Sequence, residues 1–101
     1  MPRSATVAAA SIDPSRRRLR DLRGIGKAML QDFDQLGIKS VAQLARTNPD
    51  RLYKRLCEIR KQQMDPCVLD TFRCAVAQAK DPLLPREQCD WWYWSRQRLS
   101  G

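Results

Sequence analysis

The chain contains no histidine, and glycine accounts for only 4 of its 101 residues. Without histidine, the side chain most often used for general acid–base work near neutral pH is missing. No serine or cysteine sits beside an evident base, and no spaced set of carboxylates offers hydrolytic chemistry. Asp32 and Asp34 lie two residues apart in a helical pattern, so they point in different directions. The expectation is a protein that binds rather than an enzyme. No apolar run approaches the length needed to span a bilayer, and no stretch alternates apolar and polar residues, so neither membrane association nor a strand is expected. The opening "MPRSATVAAASIDPSRRRLR" is rich in Ala and Ser, but Asp13 interrupts it and it is no convincing secretory signal. The cytoplasm is the expected compartment, with thiols kept reduced.

The four cysteines, at positions 57, 67, 74 and 89, include no Cys-x-x-Cys pair. Cys67 and Cys74 fall two turns apart on one helical pattern, about 10 Å along its axis. That is too far for a shared zinc ion or a disulfide. Core packing is the expected role of Cys57, Cys67, Cys74 and Cys89, and no metal or cofactor is expected.

What the chain does have is positive charge. Lys and Arg number 19 against 11 Asp and Glu, a net charge of +8. A balance of that sign favours polyanionic partners, nucleic acid first. Arginines crowd positions 16, 17, 18, 20 and 23, where sequence-independent phosphate contact is the functional reading and a solvated basic face the plain one.

Helix signals organise the rest. Residues 1–15 read as an arm, with Asp13-Pro14 opening a short helix over "SRRRLRDL" that Gly24 ends. A second helix follows Gly26, with Ile25, Met29, Phe33 and Leu36 at helical spacing and Gly37 as its stop. Ser40 caps a third, "VAQLAR". Asn48-Pro49 opens a fourth carrying Leu52, Leu56 and Ile59 on one face. Asp65-Pro66 opens a fifth, which aligns Leu69, Phe72, Val76 and Ala79 and runs to Lys80. Pro82 and Pro85 then end regular structure, leaving residues 81–101 as a Pro/Trp-rich tail that packs on the domain. Within it, "WWYW" at 91–94 is expected to pack partly over the helices, with an exposed remainder marking a surface for a protein partner.

The tightest punctuation is Gly24-Ile25-Gly26-Lys27. A dinucleotide loop needs a third glycine and a preceding strand. A Walker loop needs glycine where Asp21 stands and a hydroxyl where Ala28 stands. Both fail. A two-glycine turn before a helix remains, with Ile25 plugging the core and the amides of Gly26, Lys27 and Ala28 unpaired at the helix's positive end. Lys27 opposes the helix dipole there, a mismatch that a bound anion relieves.

"LRDLRGIGKAMLQDFDQLGIKSVAQLA" resembles the helix-hairpin-helix motif in Leu22, Gly24, Ile25, Gly26 and the Leu36-Gly37-Ile38 ending, with Arg23 where proline is common. The resemblance implies a compact five-helix, all-α, tandem helix-hairpin-helix (SAM-like) domain over residues 16–80. It also implies a grip on the duplex DNA backbone, with Gly24, Ile25 and Gly26 holding a phosphate through their amides, Lys27 contacting it, and Arg20 and Arg23 in support. "RLYKRLCEIRKQQMDPCVLDTFRCAVAQAK" and the terminal "WWYW" extend the likeness over roughly residues 16–94, to a small bacterial family described as pathogenicity-locus proteins, some of them named mitomycin-resistance proteins. The implied function is DNA binding without sequence preference, linked to DNA repair or damage resistance. The alternative is a protein-interaction module on the same scaffold that binds no nucleic acid. The second connection, "RKQQMD", lacks glycine, so that half is expected to be structural.

Overall fold

The computed structural model describes residues 17–100; the expected arm over residues 1–15, the Asp13-Pro14 helix start and Arg16 lie outside them. Within that span the protein is all-α. Five helices follow one another: α1 (Lys27–Gln35), α2 (Val41–Ala45), α3 (Pro49–Arg60), α4 (Pro66–Lys80) and α5 (Trp91–Ser100), with 3-10 turns at Leu19–Asp21 and Arg86–Cys89.

Local chemistry sets most of these boundaries. After α1 the chain closes with Gly37 at φ 78, and the amides of Gly37 and Ile38 return to the carbonyls of Asp34 and Phe33. This double bond is the left-handed helix stop that glycine makes easily. The Ser40 hydroxyl accepts the Gln43 amide at 3.1 Å to open α2. Asn48 Oδ1 accepts from Asp50 and Arg51 at the start of α3, with Pro49 in the first turn. α3 ends as α1 does, except that the left-handed residue is Lys61, at φ 55.

α4 is the central element, packing against α2, α3 and α5. Phe72 from α4 and Phe33 from α1 are fully buried, with ring centroids 5.7 Å apart. Leu44, Leu56 and Ala75 fill in around them. The expected apolar face of α3 is shorter than its spacing suggests, because Ile59 is exposed.

Two expected segments differ from the structure. The described part of the first expected helix is only the 3-10 turn Leu19–Asp21. The Asp21 carboxylate accepts the Arg18 amide at 2.7 Å, and Leu22 turns extended to enter the glycine turn. Residues three apart eclipse in a 3-10 helix, so Leu19 and Leu22 both reach the core without a longer helix. The second difference is α5, which forms where an irregular tail was expected. Asp81 and Pro82 end α4 as foreseen, but the chain resumes a helix at Trp91. Its anchor is Arg98, whose guanidinium makes a two-point contact at 3.0–3.3 Å with Asp70, a fully buried carboxylate of α4. A polar anchor leaves no apolar periodicity to read. Trp94 turns inward and donates its indole N–H to the Gln88 carbonyl at 2.8 Å, whereas Trp91 and Trp92 stay exposed.

Candidate functional site

The segment Leu22–Ile25 is a four-residue turn. The Ile25 amide donates to the Leu22 carbonyl at 3.3 Å, and Gly24 sits third in the turn at φ 85. That angle is one glycine adopts freely and other residues rarely. Gly26 is a different case. Its φ of −98 and ψ of −172 suit any residue, and a Cβ built on it meets nothing within 4 Å. Neither strain nor crowding inside the chain demands glycine at 26; what it does is leave the mouth of α1 uncovered.

At that mouth α1 has no side-chain cap. The N–H groups of Gly26, Lys27, Ala28 and Met29 find no acceptor among the described residues, and Leu30 is the first to bond back, to the Gly26 carbonyl at 3.0 Å. These are the orphan donors of a helix N-terminus, where the backbone dipoles add positive potential. Lys27 is exposed in the same turn and makes no ion pair among the described residues. The arrangement suits an anionic oxygen.

The structure redistributes the expected contacts. Ile25 supplies no free amide: its N–H closes the turn, and its side chain packs against the core. Gly24 keeps an unpaired N–H beside it. Arg23 is committed elsewhere, with its Nε 2.5 Å from Asp90, and the hydrogen bond to that carboxylate raises its already high pKa. Arg20 is exposed, makes no ion pair among the described residues, and lines an open groove of about 370 Å³ with Arg18, Leu30 and Lys39. Leu30 also borders the neighbouring depression, which Lys27 shares with Asp34, the acid that pairs with Lys39. On the other side of the turn, Gly24, Gly26, Met29 and Asp32 face Val68 and Thr71 of α4 across a mostly apolar groove of about 280 Å³.

Sequence reasoning missed what holds the turn in place. The buried Gln78 carboxamide accepts the Arg23 amide at 2.8 Å and donates to the Arg23 carbonyl at 2.9 Å. Arg17 donates to the Gln78 and Ala79 carbonyls at the end of α4. The one available signal was a lone glutamine among Ala75, Val76 and Ala79 on the apolar face of α4. Of the cysteines, Cys74 is buried, and burial pushes its thiol up to about 11; the others are partly exposed. No group of three or more candidate metal ligands gathers among the described residues. Nor is any described helix long and apolar enough to cross a membrane.

Fold and site together define a small, basic protein, all-helical over the described residues, with an uncapped helix N-terminus that carries an exposed lysine. The chain belongs to the pathogenicity locus family, whose profile, described as "Cdd1: Pathogenicity locus", matches residues 13–100. It is also similar to the protein named "Mitomycin resistance protein McrB" from Streptomyces lavendulae, 36% identical over 80 residues that cover 79% of this chain and 72% of that one. No solved structure matches.

Proposed function

We propose that this protein binds the DNA backbone without sequence preference, using the Gly24–Lys27 turn in the manner of a helix-hairpin-helix grip, and that it acts by binding rather than by catalysis. The observation that carries this reading is the open mouth of α1: consecutive unpaired amides from Gly26 to Met29, with glycine where the fold does not need it. Phosphate is the anion that best fits a peptide-amide cradle flanked by Lys27 and Arg20. The name of the Streptomyces relative supports a role in resistance to damage, to which backbone binding of this kind is suited.

The rival is a protein-interaction module, favoured by one observation: Trp91, Trp92 and Leu99 of α5 are exposed large apolar residues on a single ten-residue helix. Fluorescence anisotropy with a labelled duplex at several salt concentrations separates the two. A grip on three to four phosphates gives a slope of log affinity against log salt of about −3. Lys27→Glu then weakens binding to all sequences alike. Binding that is absent at low salt, or indifferent to Lys27, rejects the DNA reading in favour of the rival.

A further inference from the structure

A second basic surface lies away from the glycine turn. The end of α2 and the start of α3 enclose an open depression of about 320 Å³ lined by Arg46, Thr47, Asn48, Arg51, Leu52 and Arg55. All three arginines are exposed, and none of their guanidinium groups has a hydrogen-bond or ion-pair partner among the described residues. Arg20, Arg86 and Arg96 are likewise without one among the described residues, whereas five other arginines, Arg18, Arg23, Arg60, Arg73 and Arg98, each pair with a carboxylate. Asp50, the acid next to Arg51 in the chain, binds Arg73 at 3.0 Å instead. Three like charges thus share one depression with no acid in contact with them, an arrangement that costs free energy until an anion arrives.

The local backbone adds to this. Asn48 Oδ1 is spent capping α3, and the NH2 of the same carboxamide has no acceptor among the described residues. The positive end of the α3 dipole lies here too. Planar guanidinium forks take phosphate oxygens two at a time. The site is separate from the first. Arg60, near the other end of α3, holds Asp32, which borders the groove beside Gly24 and Gly26. Residues 51 and 60 are about 13 Å apart along the helix axis at 1.5 Å per residue.

We propose that Arg46, Arg51 and Arg55 form a second contact surface for a nucleic-acid phosphodiester backbone, so that the protein holds nucleic acid at two places. The inference rests on the nucleic-acid reading for the identity of its ligand, but not on the glycine turn. The backbone it takes is either a further stretch of the molecule held at the turn or a second molecule.

The test compares the wild type, the triple variant Arg46→Gln/Arg51→Gln/Arg55→Gln, and Lys27→Glu. Each is titrated with a labelled duplex over a range of salt, and each is assayed for capture of that duplex by a second duplex fixed to beads. The substituted arginines are exposed, so all the proteins should melt at similar temperatures, which circular dichroism verifies. Where both surfaces hold one duplex, the wild-type slope is steeper than the value of about −3 for the turn alone, and that of the triple variant falls in magnitude by about 2 to 3. If the second surface takes a second molecule, the wild type captures the labelled duplex and the triple variant does not. If it takes the same molecule, no protein captures duplex and the slope still falls. Loss of binding on Lys27→Glu together with an unchanged triple variant overturns this proposal and leaves the turn standing. A loss confined to the triple variant does the reverse. Failure of the wild type to bind duplex at low salt overturns both.

Discussion

Two of the connections that lead into helices in this protein treat the helix mouth in opposite ways. In the first, Ile25 packs against the core and is followed by Gly26 and Lys27. In the second, Met64 packs against the same core and is followed by Asp65 and Pro66. Asp65 accepts the Cys67 amide at 2.8 Å, and Pro66 has no N–H to satisfy. That hydrogen bond from the Cys67 amide holds the Asp65 carboxyl below the usual carboxylate range. The second mouth therefore carries its own anion. The first has neither carboxylate nor proline, and it presents a lysine. A helix start that needs only stability resembles the second. One that leaves donors open resembles the first, and the open donors make it the candidate site.

Exchanging the two solutions gives the largest expected effect. Gly26→Asp installs at α1 the cap that α4 already has. Duplex affinity should fall by about a hundredfold, from the loss of one or two charge-assisted bonds at about 1.5–3 kcal/mol each. Thermal stability should hold or rise slightly, because aspartate caps at least as well as glycine. Anisotropy and a melting curve read the two effects separately, and a joint fall in both would point to misfolding instead.

Next in size is Gln78→Leu, which removes the partners of both the backbone N–H and the carbonyl of Arg23 in a buried setting. A loss of about 2 kcal/mol is expected. Amide exchange should speed up at Arg23 and Ile25, whose amides are bonded in the turn, while Cys67, whose bond to Asp65 Gln78 does not touch, keeps its protection.

Asp65→Asn sharpens the contrast from the other side. Because the folded carboxyl titrates below its unfolded value, its contribution is complete at neutral pH and is lost as the pH falls through the folded pKa. The variant should be less stable than the wild type at neutral pH, with the difference shrinking in acid. Its duplex affinity should stay unchanged, since Pro66 offers no donor. Melting temperatures taken across the acid range check the sign.

The smallest effect expected is a gain. Lys61 holds a left-handed conformation that Gly37 holds at the end of α1, so Lys61→Gly should stabilise the fold by about 1 kcal/mol. Urea unfolding of the two proteins measures it.

These contrasts also show which features the amino-acid order reveals. α1 to α4 begin and end where Gly26, Gly37, Ser40, Asn48-Pro49 and Asp65-Pro66 place them, because caps and stops act within a few residues. α5 escaped because its hold on the domain is the Arg98–Asp70 contact, made across 28 positions of sequence by a charged pair rather than an apolar stripe. The 3-10 turn escaped because Leu19 and Leu22 fit one short turn as well as a longer helix. At the candidate site the uncapped mouth was legible from Gly26-Lys27. Three of its details were not: the Gln78 clamp, the diversion of Arg23 to Asp90, and the use of the Ile25 amide within the turn. The first two depend on residues that only the fold brings near.

Amide chemical shifts followed during titration with a short duplex test the central claim most directly. The account predicts that the N–H signals of Gly26, Lys27 and Ala28 move most, while that of Cys67, already bonded to Asp65, stays put. Shifts confined to α5, with Gly26 to Ala28 unmoved, would contradict it.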